Sequence, residues 1–171
     1  MKSHRQYFIK IKELKMKVIT KAAVSCALIL SISAVNAGQA KSEKHAKKAT
    51  DLRQSVFSLL GSNMGPLGGM AKGKIAFDGK AVAKHALRIN QLSMMIADYS
   101  RTDTSKFSVE TEALDKIWQQ PTEFAEKIKA LNNSSSNLMA AAATGDEGAM
   151  KKAIGGVGKT CGGCHDDFKK D

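Results

Sequence analysis

Cys161, Cys164 and His165 stand close to the C-terminal end of the sequence in the run Cys161-Gly162-Gly163-Cys164-His165. On a helix, residues three apart share a face, so both sulfurs can reach one edge of a flat group. Two thiols so placed can each add to a haem vinyl group, and the adjacent histidine then serves as an axial ligand to the iron. Other uses of the pair fit less well. A structural zinc site takes four ligands, whereas residues 38–171 offer two cysteines and only His45, His85 and His165. A thioredoxin-like redox pair expects a βαβ setting, of which there is no sign. A disulfide between the two cysteines stays open, but so short a loop constrains little chain.

Attachment of haem needs a suitable compartment, and the other end of the chain addresses that. At 171 residues the chain has room for one domain with an appendage, and residues 1–37 read as that appendage. Lys17 and Lys21 form a basic start, Ala22 to Val35 is an apolar run of 14, and Val35-Asn36-Ala37 supplies small residues for cleavage. This is the pattern of a secretory signal peptide, too short for a membrane span of about 20 residues. Met16 begins a more ordinary signal sequence than Met1, because residues 1–15 prolong the basic region. A lipoprotein anchor at Cys26 fits poorly, since Cys26 lies early in the apolar run. Export to the periplasm is therefore expected, with no membrane segment after cleavage.

Removing residues 1–37 changes the charge. They hold seven of the 27 Lys and Arg and one of the 16 Asp and Glu, so 20 basic against 15 acidic residues leave +5 instead of +11. The nucleic-acid reading loses most of its support, while a charge of +5 can still steer an acidic protein partner. No nucleophile–base pair or general-acid constellation stands elsewhere, so no catalytic reaction is expected.

The elements that must position the motif read as helices. Residues 38–50 are small and charged and are expected to form a flexible lead-in. Thr50 and Asp51 are capping candidates for a first helix whose apolar face runs through Leu52, Val56, Leu59, Leu60, Met64 and Leu67. Glycines at 61, 65, 68 and 69 weaken it, and Pro66 invites a kink. Val82, Ala86, Ile89 and Ile96 mark a second helix, and Phe124, Ile128, Leu131 and Leu138 a third, with Pro121 near its first turn. Asp146 opens a fourth through Met150, Ile154 and Val157 to Phe168. No stretch alternates apolar and polar residues, so strands are not expected. Four helices with short connections make an all-α, antiparallel four-helix bundle with covalently attached haem, occupying residues 51–171.

A haem motif on the last helix of such a bundle resembles the cytochrome c' family of class II c-type cytochromes. Arg53 to Asp78, "RQSVFSLLGSNMGPLGGMAKGKIAFD", is similar to the family's opening segment, and Leu114 to Leu131, "LDKIWQQPTEFAEKIKAL", to its third-helix entrance. The likeness runs over about residues 48–170.

The resemblance implies one haem c per chain, held by Cys161 and Cys164 with His165 on the iron. It places Phe57 on the opposite, distal side, four residues after Arg53. Phenylalanine cannot ligate iron, which implies a five-coordinate, high-spin centre that binds NO and CO. An apolar pocket without a donor offers little to polar oxygen. Arg53 and Gln54 match the family's pair near the haem propionates, although a solvated helix face is their plainer reading. Lys169 stands where the family has a basic residue beside the proximal histidine. A homodimer through the first two helices is also implied. The rival reading is a low-spin electron carrier ligated by methionine and serving a periplasmic redox partner. Met64 and Met70 are the nearby methionines, but Met64 lies two turns, about 10 Å, from Phe57. Trp118 reads as packing at the helix entrance and His85 as a surface histidine.

Overall fold

The structure is a computed structural model that describes residues 38–170. The expected signal segment, with Met16 and Cys26, lies outside the described residues. Two short strands and five helices follow one another: β1 (Gly38–Gln39), α1 (Glu43–Ala71), α2 (Gly79–Tyr99), β2 (Thr102–Asp103), α3 (Lys116–Gln119), α4 (Pro121–Thr144) and α5 (Glu147–Phe168). The four long helices form an antiparallel four-helix bundle, with α1 against α2, α2 against α4, α4 against α5, and α5 back against α1. Among the described residues no helix is long and apolar enough to cross a membrane.

Local chemistry sets most helix ends. Asp78 accepts from the amides of Lys80 and Ala81 at the start of α2, and Asp146 accepts from Ala149 at the start of α5. These carboxylates satisfy amides that have no partner within the helix and oppose its positive end. Pro121 is the first residue of α4, where its missing N–H costs nothing. Gly145 ends α4 at φ 74°, a conformation that penalises any side chain. Pro66 removes one main-chain donor within α1 without ending the helix.

The first helix departs from expectation. It begins at Glu43, capped by Ser42, whose hydroxyl accepts from the His45 amide at 3.2 Å. Thr50 is therefore no cap but a buried residue within the helix, and Ala46 is buried in its first turn. Nor is residues 38–50 a flexible lead-in outside the fold. Gly38 and Gln39 pair in parallel with Thr102 and Asp103, and the Ala40 amide bonds the Asp103 carbonyl at 2.8 Å. The expectation of no strands fails here too, because a two-residue pairing is too short to show alternation. The buried face of α1 also differs: Arg53, Val56, Leu60, Asn63, Leu67 and Met70 turn inward, while Leu52 and Leu59 face out.

Between α2 and α4 the core contains polar groups that satisfy one another. The two N–H donors of Asn90 Nδ2 are shared among the Asn132 carbonyl and the hydroxyls of Ser135 and Ser136, at 3.3, 3.1 and 2.9 Å, and Asn132 Nδ2 donates to Ser93 Oγ. Buried polar groups cost little when paired in this way, and the pairing fixes the register of the two helices.

Candidate haem-binding site

The residues singled out in the sequence converge. Arg53, Gln54, Phe57, Cys161, Cys164, His165 and Lys169 all border one cavity of about 660 Å³. That volume suits a small-molecule or cofactor pocket. Residues from α1 and α5 face each other across it, and α4 adds Phe124, Ile128 and Leu131. Met64 borders the cavity as well. Met70 does not; it is buried, with its sulfur accepting from the Asp78 amide at 3.3 Å.

Cys161 and Cys164 are free, half-buried thiols. Burial pushes both up from the usual thiol value, and Lys127 pulls Cys164 partly back. Among the described residues no group of three or more His, Cys, Asp or Glu is arranged to hold a metal ion by itself. The motif's donors are thus two thiols and one imidazole, a set that matches haem attachment and falls short of a four-ligand zinc site.

Arg53 is the most unusual residue of the site. Its side chain is only 2% exposed, so the solvated-face reading fails. Its guanidinium lies over the Trp118 ring, 5.1 Å from the centroid, and Nη2 has only a long contact of 3.5 Å to Thr50 Oγ1. Nε and Nη1 are buried without any partner. Burial lowers its pKa from the usual arginine value, although arginine remains charged at neutral pH. A buried cation with two unsatisfied donors beside a cavity fits a ligand that brings carboxylates, as haem does with its propionates. The residues present therefore fit the group.

Gln54 is exposed and donates to the Glu110 carbonyl at 3.1 Å, holding the segment that follows β2 against α1. Phe57 is 36% exposed, and its apolar side chain borders the cavity. Lys169 pairs with Glu112 at 2.6 Å, which keeps the Glu112 carboxyl below its ordinary value. The chain just beyond His165 is further pinned. Leu114 N donates to Phe168 O at 2.9 Å, Lys170 N to Glu112 O at 2.8 Å, and Ala113 bridges Lys169.

Three participants were missed in the sequence. Lys127 donates to the Gly163 carbonyl at 2.7 Å and pairs with Asp167 at 2.6 Å. Glu112 holds Lys169, and Trp118 lies beneath Arg53 while its indole N–H donates to the Ser100 carbonyl at 2.9 Å. Only the Ile117-Trp118 pair carried a signal, and it read as packing. His85 is half-buried and bonds Asn63 Oδ1 at 2.9 Å, so it is more than a surface histidine, but it lies outside the cavity.

Known proteins give the same direction. The family model described as Cytochrome C' matches residues 48–169. A cytochrome c-554 from Cereibacter sphaeroides is 28% identical over 146 residues, which span 84% of this chain and 94% of that protein. The solved structure of cytochrome c prime from Shewanella frigidimarina is 35% identical, with a TM-score of 0.68, over 74% of this chain and 97% of that one. The nitric oxide complex of a leucine-to-alanine mutant of cytochrome c prime from Alcaligenes xylosoxidans is 27% identical, with a TM-score of 0.66, over 74% and 96%. The orphaned donors of Arg53, the paired thiols with their histidine and this agreement in sequence and fold lead to one conclusion: the chain belongs to the cytochrome c' family, whose members carry covalently attached haem c.

Proposed function

We propose that Cys161 and Cys164 carry haem c as thioethers, that His165 is its axial ligand, and that Phe57 faces the other side of the iron. When bound, the haem supplies an iron that cycles by one electron and can take a diatomic gas. The reading is of a five-coordinate, high-spin gas carrier for NO and CO that buffers nitric oxide, not of an enzyme. The observation that carries it is that Phe57 and His165 border one cavity, and phenylalanine has no atom to donate to iron. The nitric oxide complex of the Alcaligenes xylosoxidans protein supports the choice of gas.

The other residues have supporting roles. Arg53 binds propionate through Nε and Nη1. Gln54 holds the neighbouring loop, and Lys169 contributes positive charge, offset by Glu112, near His165. Export to the periplasm by removal of residues 1–37 agrees with the family's usual location. Outward Leu59, Leu87 and Met94, at 45–58% exposure on α1 and α2, support a homodimer through those helices. A periplasmic redox partner would return the iron to its ferrous form.

Met64 also borders the cavity, and that favours a second reading, a low-spin electron carrier in which its sulfur reaches the iron. The absorption spectrum of the haem-loaded protein separates the two. A high-spin ferrous spectrum that shifts on adding NO or CO supports the open iron. A sharp low-spin spectrum unmoved by gas establishes the second reading, and absence of a covalent haem band overturns both.

A further inference from the structure

A buried arginine is held in place by its surroundings, and around Arg53 those surroundings are sparse. Its only polar contact is the long one to Thr50 Oγ1, and no carboxylate of the chain pairs with it among the described residues. What does face the guanidinium is the ring of Trp118, at 5.1 Å. Such stacking attracts a cation through the ring's quadrupole and leaves the in-plane N–H donors free. The ring is itself anchored. Its indole N–H is bonded to Ser100 O at the end of α2, and its neighbour Ile117 is buried in the core.

We propose that Trp118 is a positioning residue for the haem-binding arginine: its anchored ring fixes the guanidinium plane of Arg53, so that Nε and Nη1 stay available to a carboxylate. This rests on the reading of Arg53 as a propionate ligand. A carboxylate pair would hold the arginine more tightly but would consume the very donors a propionate needs. An aromatic face holds it without consuming them. Arg53 comes from α1 and Trp118 from α3, so only the fold brings the cation and the ring together.

The test is the midpoint potential of the haem-loaded protein in four variants, Arg53→Leu, Trp118→Leu, Trp118→Phe and the Arg53→Leu/Trp118→Leu double. Positive charge beside haem favours the ferrous form, so Arg53→Leu should lower the potential. Trp118→Leu, which keeps apolar bulk but has no ring face, should reproduce at least roughly half of that shift, and the double variant should go no lower than Arg53→Leu alone. Trp118→Phe keeps a ring face while losing the bond to Ser100, and should shift the potential less than Trp118→Leu does. Equal shifts in the phenylalanine and leucine variants, or additive shifts in the double variant, overturn the role of Trp118. A potential unmoved by Arg53→Leu, with haem still attached, overturns the propionate reading beneath it.

Discussion

Lys127 donates its ammonium to the carbonyl of Gly163 at 2.7 Å, tying α4 to the turn of α5 that lies between the two cysteines. The same ammonium pairs with Asp167, one turn further on, at 2.6 Å. An ammonium has three donors and can serve both partners at once. The stretch that carries Cys161, Cys164 and His165 is thereby braced from the side, although it contains two glycines and has low intrinsic helix preference.

Replacing Lys127 with Met keeps the apolar stem and removes both bonds. The haem-loaded variant should melt at a lower temperature than wild type at pH 7. The gap should narrow in acid, and its sign follows from Asp167, whose carboxyl is held below the usual range chiefly by its hydrogen bond from Lys127. That contribution is complete above the unfolded value of about 3.9 and fades as pH falls through the lower folded value. Thermal melts at pH 7 and near pH 3 check this. A gap of the same size at both would mean that the pair with Asp167 contributes nothing and that the bond to the Gly163 carbonyl carries the whole effect.

The start of α1 offers a second check. Ser42→Ala removes the hydroxyl that accepts from the His45 amide, and loss of such a cap typically costs about 1 kcal/mol. If residues 43–50 were a detached lead-in, the substitution would leave stability unchanged. Denaturant unfolding should instead show the loss with an unaltered slope, since the buried surface is nearly the same.

Much of this molecule was legible in the sequence, and the failures share a cause. The motif at 161–165 and Asp146 at the start of α5 use residues whose chemistry is local, so spacing alone reveals them. The beginning of α1 was hidden because Lys44, Lys47 and Lys48 look like solvated chain, whereas Ala46 and Thr50, small enough to pack closely, carry the burial. Arg53 was hard to judge because charged side chains seldom lie fully buried, and the ring that receives its guanidinium, Trp118, is 65 positions away in the sequence. Lys127 and Glu112 act on partners 40 and 57 positions away, at Asp167 and Lys169, and nothing in local pattern announces such pairs.

His85 gives a prediction outside the cavity. Asn63 Nδ2 donates to Leu59 O at 2.8 Å, which leaves Asn63 Oδ1 to accept from the neutral His85 ring. Burial first, then Lys84 and Arg88, hold the imidazole below its ordinary value of 6.5. The unfolded chain therefore binds this proton more readily, and the folded state gains stability as pH rises, reaching its full share above that value. The residue is only half-buried, so solvent screening keeps the gain to at most about 1 kcal/mol. Unfolding curves between pH 5 and pH 8 (about one and a half units either side of the ordinary value) should show the rise in wild type and a flatter profile in His85→Gln.

The most direct test of whether Phe57 faces the iron is to give that position a ligand. Phe57→Met places a thioether where the resemblance puts the residue facing the distal side. The variant should turn low-spin in the ferrous state, and its apparent affinity for CO should drop by tenfold or more, since each 1.4 kcal/mol of competing ligation costs about a factor of ten. Phe57→Ala should act oppositely and speed gas binding by removing bulk. Because Phe57 is already 36% exposed, its truncation should cost much less than the roughly 3–5 kcal/mol of a fully buried phenylalanine, so the altered kinetics can be read on a folded protein. Spectra and CO-binding rates of the two variants measured side by side decide the matter. If both keep the wild-type spectrum and rates, Phe57 does not face the iron and the distal side is built from other residues, with Met64 the first to examine.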